Sequence, residues 1–142
     1  MKLYLDNCCF NRPFDDQTQL KIHLESQAKL AVQDMIINQK HSLVWSYMLE
    51  YENSQNPFEI RKDSIVKWKD IADTYVEENE NILAVAEELL SKGIKAKDAI
   101  HIACAAETHC DYFLTTDIGI RLRYLLKYLF CQMFFSSLPH IY

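Results

Sequence analysis

Four acidic residues have the type and the position that metal-dependent hydrolysis requires. Asp6 and Asp117 each end an apolar run, in LYLD and in DYFLTTD. Glu50 follows the apolar run SLVWS after a few residues, and Asp98 lies near the start of KAKDAIHIACA. Oxygen ligands of this kind suit Mg²⁺ or Mn²⁺, and such an ion can activate water for phosphodiester hydrolysis. Taken alone, each acid is more simply a helix cap or a turn residue.

These acids meet only if the chain folds into a particular kind of sheet. KLYLD, HSLVWS and DYFLTT are typical of short buried strands. A loop is predicted over residues 7–16, helices over 16–38, 47–56, 58–77, 81–91 and 96–109, and a last strand near 131–136. Strands that alternate with helices predict an α/β protein with a mainly parallel sheet and helices on both faces. Ligands bind such sheets beyond the carboxyl ends of the strands, where Asp6 and Asp117 are predicted.

A shared site at this edge of the sheet needs a physical reason. Two like unit charges 4 Å apart repel by roughly 4 kcal/mol at an effective dielectric near 20. Four carboxylates in one place would therefore destabilise the fold unless a divalent cation binds among them. We predict that Asp6, Glu50, Asp98 and Asp117 hold Mg²⁺ or Mn²⁺ together.

Composition and charge bound the class of protein. The 142 residues are 49% apolar and 25% charged, with only two glycines, which predicts one folded domain over residues 1–142. A net charge of −5 excludes a global basic field of the kind that attracts nucleic acid. No secretory signal or membrane-spanning stretch is found. An odd number of cysteines, five, fits a reducing compartment, so we expect a cytoplasmic protein.

The chain resembles the PIN-domain nucleases, particularly the small VapC-like toxins and their orphan relatives. The motifs that carry the resemblance are YLDNCCFNRPFDD, SLVWSYMLEYE, GIKAKDAIHIACA and DYFLTTD, within about residues 1–120. The family's four acids match Asp6, Glu50, Asp98 and Asp117, and Thr116 matches a hydroxyl residue before the last acid. The resemblance implies a three-layer α/β/α sandwich, Mg²⁺- or Mn²⁺-dependent endoribonuclease activity and often a homodimer. For toxin members it also implies an antitoxin partner.

Several other residues are candidates for the same site. Asn7 could hold a water molecule or a phosphate, or form a turn. Arg12 could contact an RNA phosphate or pair with a nearby aspartate. Cations flank Asp98 and Asp117 and are predicted to bind RNA phosphates: Lys95, Lys97, Arg121 and Arg123. His101 is expected to support the acids, and a zinc site built from His101, Cys104, His109 and Cys110 lacks the usual paired spacing.

Other functional classes are alternatives to the nuclease. A dehalogenase-type phosphatase requires a second aspartate two positions after Asp6, where Cys8 stands. A receiver domain requires an acidic pair at the first strand and a lysine after a late strand, and this pattern is absent from the sequence. The remaining alternative is a catalytically degenerate protein that binds a partner through its apolar tail, IRLRYLLKYLFCQMFFSSLPHIY. This tail departs from the pattern of the PIN-domain family.

Overall fold

The chain folds around a parallel β-sheet. A computed structural model describes residues 1–120 and 140–141. The strands are β1 (Lys2–Leu5), β2 (Ser42–Ser46), β3 (Thr74–Val76), β4 (Tyr112–Leu114) and β5 (His140–Ile141). The helices include α1 (Asn7–Asn11), α2 (Leu20–Ile37), α3 (Tyr47–Ser54), α4 (Glu59–Ile71), α5 (Glu80–Ser91) and α6 (Ala96–Glu107). The sheet order is β3-β2-β1-β4-β5 and every neighbouring pair is parallel, which confirms the predicted α/β class.

Helices cover both faces of this sheet. Successive side chains of a strand point to opposite faces, and β1 illustrates the consequence. The hydroxyl of Tyr4 contacts His101 in α6, whereas Leu5 lines a small cavity with Ala28 and Val32 of α2. Right-handed crossovers predict the same arrangement. The chain crosses the sheet in one direction from β1 to β3 and in the other direction from β3 to β4, so the connecting helices lie on opposite faces. The result is an α/β sandwich in which β1 is central.

Aromatic side chains fix the centre of the core. Tyr4, Phe10, Trp45 and Phe113 are completely buried. Tyr4 stacks on Phe113 with ring centroids 5.5 Å apart, and Phe10 meets Trp45 edge-on at the same distance. Such pairs contribute about 0.5–1.5 kcal/mol each beyond the burial of their surface. This aromatic packing therefore fixes the positions of the carboxyl ends of β1 and β2.

Capping residues turn the chain from strand to helix at one edge of the sheet. Asp6 follows β1 directly and its carboxylate accepts the backbone N–H of Asn7, which begins α1. Ser46 ends β2 and its hydroxyl accepts the N–H of Leu49 in α3. Both residues satisfy donors that a helix terminus leaves without partners. The polar side chains at this edge are thus placed by the strand ends themselves.

The structure corrects two predicted elements. The helix predicted over residues 58–77 ends at Ile71, and Thr74–Val76 form the edge strand β3. Asp73 ties this segment to β2, because its carboxylate accepts the N–H of Leu43. Part of the loop predicted over residues 7–16 is the short helix α1 followed by a 3-10 turn at Arg12–Phe14. The last strand predicted near residues 131–136 lies outside the described residues. None of the described helices has the length and apolar character to cross a membrane.

Candidate active site

Asp6 is the centre of a polar cluster beyond the carboxyl ends of β1 and β4. It is only 6% exposed, and its backbone N–H donates to the carbonyl of Leu114 over 2.9 Å. The Asp6 carboxylate accepts three hydrogen bonds: from Asn7 N at 2.7 Å, Thr115 Oγ1 at 2.9 Å and Cys8 Sγ at 3.1 Å. These contacts fix the orientation of the Asp6 carboxylate. They also offset the cost of burying its negative charge.

Two side chains from different helices meet Asp6. His101 of α6 is 1% exposed, and its Nε2 lies 2.9 Å from Glu52 Oε2 and 3.8 Å from Asp6 Oδ1. One ligand atom from each of Asp6, Glu52 and His101 lies within 4.8 Å of the others. Carboxylate oxygens and an imidazole nitrogen at this spacing are a donor set that fits a divalent cation.

A buried hydrogen-bond chain orients the His101 ring from behind. Its Nδ1 lies 2.7 Å from the Tyr4 hydroxyl, which lies 2.6 Å from Ser46 Oγ. Burial raises the pKa of Tyr4 well above its ordinary value, so the phenol stays protonated. The chain fixes the direction in which the Nε2 atom of His101 points, which is towards the carboxylates.

Asp98 and Asp117 complete the negative charge of this region. Asp98 lies in the first turn of α6, and burial, followed by the charges of Asp6 and Asp117, raises the pKa of its carboxyl group. Asp117 is exposed after β4, where its Oδ1 accepts the N–H of Gly119 over 2.6 Å. The structure therefore brings together three of the four acids that the sequence placed in one site.

The fourth predicted acid, Glu50, lies elsewhere. Its carboxylate contacts Lys69 Nζ at 2.9 Å and Tyr75 Oη at 2.7 Å. Hydrogen bonds from Lys69 and then Tyr75 lower the pKa of Glu50. Residues two apart on a helix do not share a face, so Glu50 and Glu52 of α3 point in different directions. Glu52 takes the place that was predicted for Glu50.

Glu52 is held at the cluster by positive neighbours. Burial acts to raise the pKa of Glu52, but the hydrogen bond and charge of His101, together with Lys97, lower it overall. The sequence did contain a signal for this residue. Leu49 is completely buried, and Glu52 follows it by three residues, so the two share the helix face that packs inward.

The predicted supporting residues take different positions from those expected. Thr115 rather than Thr116 donates to Asp6, because adjacent residues at a strand end point to opposite sides. Thr116 Oγ1 instead accepts from Arg12 Nη2 over 2.8 Å. Asn7 contributes its backbone N–H to Asp6, while its side-chain oxygen contacts Asn11.

The predicted RNA-binding cations are only partly available in this structure. Arg12 is engaged in ion pairs with Asp15 at 3.1 Å and Glu25 at 3.0 Å. Lys95 and Lys97 are exposed at the start of α6, and Lys97 Nζ lies 3.5 Å from Glu52 Oε1. These two lysines are therefore at the edge of the cluster. Arg121 and Arg123 lie outside the described residues.

His101 does not belong to the alternative zinc site with Cys104, His109 and Cys110. His101 faces Asp6 and Glu52, whereas His109 is exposed. Cys104 and Cys110 are buried, and burial raises the pKa of their thiols to about 12 and about 11. Among the described residues, the group of potential metal-binding side chains whose ligand atoms lie within 4.8 Å of one another is Asp6, Glu52 and His101, and it includes none of these thiols.

Three solved structures share the fold over most of the chain. FitAcB from Neisseria gonorrhoeae matches with a TM-score of 0.59 and 14% identity, over 99% of this chain and 96% of that chain. VapBC2 from Rickettsia felis, bound to a DNA fragment from their promoter, gives 0.56 and 12%, over 100% and 99%. VapBC-1 from nontypeable Haemophilus influenzae gives 0.51 and 16%, over 88% and 93%. No protein-family model and no curated protein matches the sequence.

These comparisons overturn the identification suggested by the sequence motifs. No family model for the PIN-domain nucleases matches the chain, and the structural neighbours are chains from FitAB and VapBC complexes. At such low sequence identity the likeness establishes the fold alone. The prediction of membership in the PIN-domain family is therefore wrong, and the α/β fold with a parallel sheet is what the comparisons support.

Proposed function

We propose that this protein is a metal-dependent ribonuclease whose site is built from Asp6, Glu52, His101, Asp98 and Asp117. The observation that supports this most strongly is the convergence of Asp6, Glu52 and His101, whose ligand atoms lie within 4.8 Å of one another. Buried like charges without a bound cation would be destabilising. A site of this kind is best explained by an ion that Asp6 and Glu52 hold, with Asp98 and Asp117 beside it.

The chemistry of the donor set favours phosphodiester hydrolysis. A Mg²⁺ or Mn²⁺ ion at such a site lowers the pKa of a bound water and offsets charge on the phosphate. Thr115 and the N–H of Asn7 keep the Asp6 carboxylate in place. Lys95 and Lys97 are exposed beside the acids, where they would bind the phosphates of an RNA strand.

We also propose that the protein works with a partner protein. FitAB and VapBC are complexes of toxin–antitoxin pairs, and two of the matched structures contain DNA: VapBC2 and a further structure of FitAB bound to the IR36 DNA fragment. A chain with the same fold over nearly its whole length is a reasonable component of such a pair. A homodimer, by contrast, was implied only by the family resemblance and stays a prediction.

A second candidate is a partner-binding component without catalytic activity. The observation that favours it is that every matched structure named above comes from a FitAB or VapBC complex. The two candidates differ in what they require of the acidic cluster. A binding component does not need Asp6 for its activity, whereas a ribonuclease does.

The deciding experiment is cleavage of an RNA that contains single-stranded and hairpin segments, in Mn²⁺, Mg²⁺ or EDTA. The variant Asp6→Asn retains a good helix cap but loses the charge, and we expect at least a roughly 100-fold lower rate. Asp16→Asn is the matched control, because Asp16 is an exposed acid that also accepts a backbone N–H, from Thr18. Equal cleavage by wild type and Asp6→Asn would contradict the proposed site and point to a different site or a contaminant, whereas no cleavage by a folded wild type would favour the binding component.

A further inference from the structure

The position of His101 has a consequence for which metal the site prefers. Its imidazole is inside the cluster rather than behind it, since Nε2 lies 2.9 Å from Glu52 Oε2 and 3.8 Å from Asp6 Oδ1. We infer that His101 Nε2 is itself a metal ligand, and that the site therefore favours Mn²⁺ and other first-row transition ions over Mg²⁺. This inference rests on the proposed metal site and specifies its ligands.

The hydrogen-bond chain behind His101 can supply the tautomer that a metal ligand needs. Ligating histidines almost always donate their other ring N–H to a fixed partner. Here Nδ1 faces the Tyr4 hydroxyl at 2.7 Å. When Nδ1 carries the ring proton and donates a hydrogen bond to the Tyr4 hydroxyl, the lone pair of Nε2 points towards Asp6 and Glu52.

In that arrangement His101 Nδ1–H and the Tyr4 hydroxyl each have an acceptor. Tyr4 donates to Ser46 Oγ over 2.6 Å, and Ser46 also accepts the N–H of Leu49. Because each hydroxyl can donate and accept, the chain can also run in the opposite direction, so that Nε2–H donates to Glu52. The same residues thus satisfy both tautomers, and none has to move to release Nε2.

The burial of His101 and Tyr4 distinguishes this arrangement from an accidental surface contact. His101 and Tyr4 are 1% and 0% exposed, so solvent does not compete for the ring nitrogens. Imidazole nitrogen suits first-row transition ions such as Fe²⁺, Ni²⁺ and Zn²⁺, whereas Mg²⁺ prefers carboxylates and water. Mn²⁺ also takes oxygen ligands, but as a transition ion it accepts an imidazole more readily than Mg²⁺ does. One nitrogen among the carboxylates of Asp6 and Glu52 therefore shifts selectivity without excluding Mg²⁺.

The direct test is pulsed electron paramagnetic resonance of Mn²⁺ bound to wild-type protein. A ligating imidazole gives a nitrogen modulation, which must change when the protein is labelled with ¹⁵N-histidine. His101→Gln should abolish the modulation, whereas His23→Gln, at an exposed position in α2, should retain it. Bound Mn²⁺ with no histidine modulation in wild type, or a modulation that survives in His101→Gln, would overturn the inference.

Titration calorimetry separates failure of this inference from failure of the proposed metal site. We expect His101→Gln to lose Mn²⁺ affinity by at least the roughly 10- to 100-fold typical of lost supporting partners, with a smaller loss for Mg²⁺. Equal losses for both ions would contradict nitrogen ligation and leave the carboxylate site intact. No binding of Mn²⁺ by folded wild type would overturn both proposals.

Discussion

Replacing Asp98 by asparagine should stabilise the protein when no divalent metal is bound. Burial, followed by the charges of Asp6 and Asp117, raises the pKa of the Asp98 carboxyl group. A charge that forms less readily in the folded state than in the unfolded state costs folding free energy at neutral pH. Asparagine preserves the shape of the side chain and removes this charge.

The size of the effect follows from Coulomb's law for carboxylates that are near neighbours. The charges of Asp6 and Asp117 both act on Asp98. At about 6 Å, the outer end of the range over which a neighbouring charge commonly shifts a pKa, two like unit charges repel by about 2.8 kcal/mol at an effective dielectric near 20, and by about 0.7 kcal/mol in water. Because Asp98 is only partly buried, we expect a gain in the free energy of unfolding of about 1 kcal/mol, or roughly 4 °C in Tm.

The gain should depend on pH in the direction that the pKa dictates. Because the folded-state pKa of Asp98 is raised, the folded protein binds more protons than the unfolded chain between the two pKa values. Wild type therefore loses stability as pH rises through that window. The advantage of Asp98→Asn should be absent below the ordinary pKa of aspartate and fully developed at neutral pH.

Thermal unfolding in EDTA, at about pH 3 and about pH 7, measures this advantage. Asp63→Asn is the control, since Asp63 is an exposed acid in α4. Mn²⁺ at a concentration 100 times its Kd should stabilise wild type by about 2.7 kcal/mol and Asp98→Asn by less. If Asp98→Asn melts below wild type at neutral pH, or its advantage persists at acidic pH, the reasoning about clustered charge is refuted.

Two further substitutions test the environment of the site. Tyr4→Phe leaves His101 Nδ1 and Ser46 Oγ without their shared hydrogen-bond partner. We expect this change to lower the free energy of unfolding by about 1–3 kcal/mol, measured by denaturant unfolding. A change smaller than the error of the measurement would contradict the hydrogen-bond chain. Burial lowers the pKa of Lys29 to about 8, so Lys29→Met should be more stable than wild type by roughly 1–2 kcal/mol below that pH. The difference should shrink as pH rises towards the ordinary lysine pKa, because wild type gains stability there; a constant difference would argue against burial of the charge.

The sequence was most informative where a single strand decides the position of a residue. The apolar runs before Asp6 and Asp117 end at the same edge of a parallel sheet, and the start of α6 brings Asp98 to that edge. Glu50 was predicted where Glu52 lies, because the residue types alone do not fix the phase of α3; the burial of Leu49 shows which face points inward. β3 was missed because three residues, Thr74–Val76, are too short to interrupt a helical pattern.

Contacts between distant parts of the chain could not be predicted in this way. Tyr4 meets Ser46 across 42 residues and His101 across 97 residues, and no local pattern links these positions. The adjacent pair Thr115 and Thr116 posed a different problem, because only the alternation of side chains at the end of β4 decides which hydroxyl faces Asp6. The hydrogen-bond chain behind His101 thus depends on the tertiary structure and has no local signal in the sequence.

The most direct test of the proposed site compares RNA cleavage by Glu52→Gln and Glu50→Gln under single-turnover conditions with Mn²⁺. The two variants remove the same charge from one helix, at positions two residues apart. We predict that Glu52→Gln lowers the rate by at least roughly 100-fold, whereas Glu50→Gln, which loses an exposed ion pair with Lys69 and weakens a hydrogen bond from Tyr75, stays within a few-fold of wild type. The opposite order, or equal losses in both variants, would contradict the site centred on Asp6, Glu52 and His101.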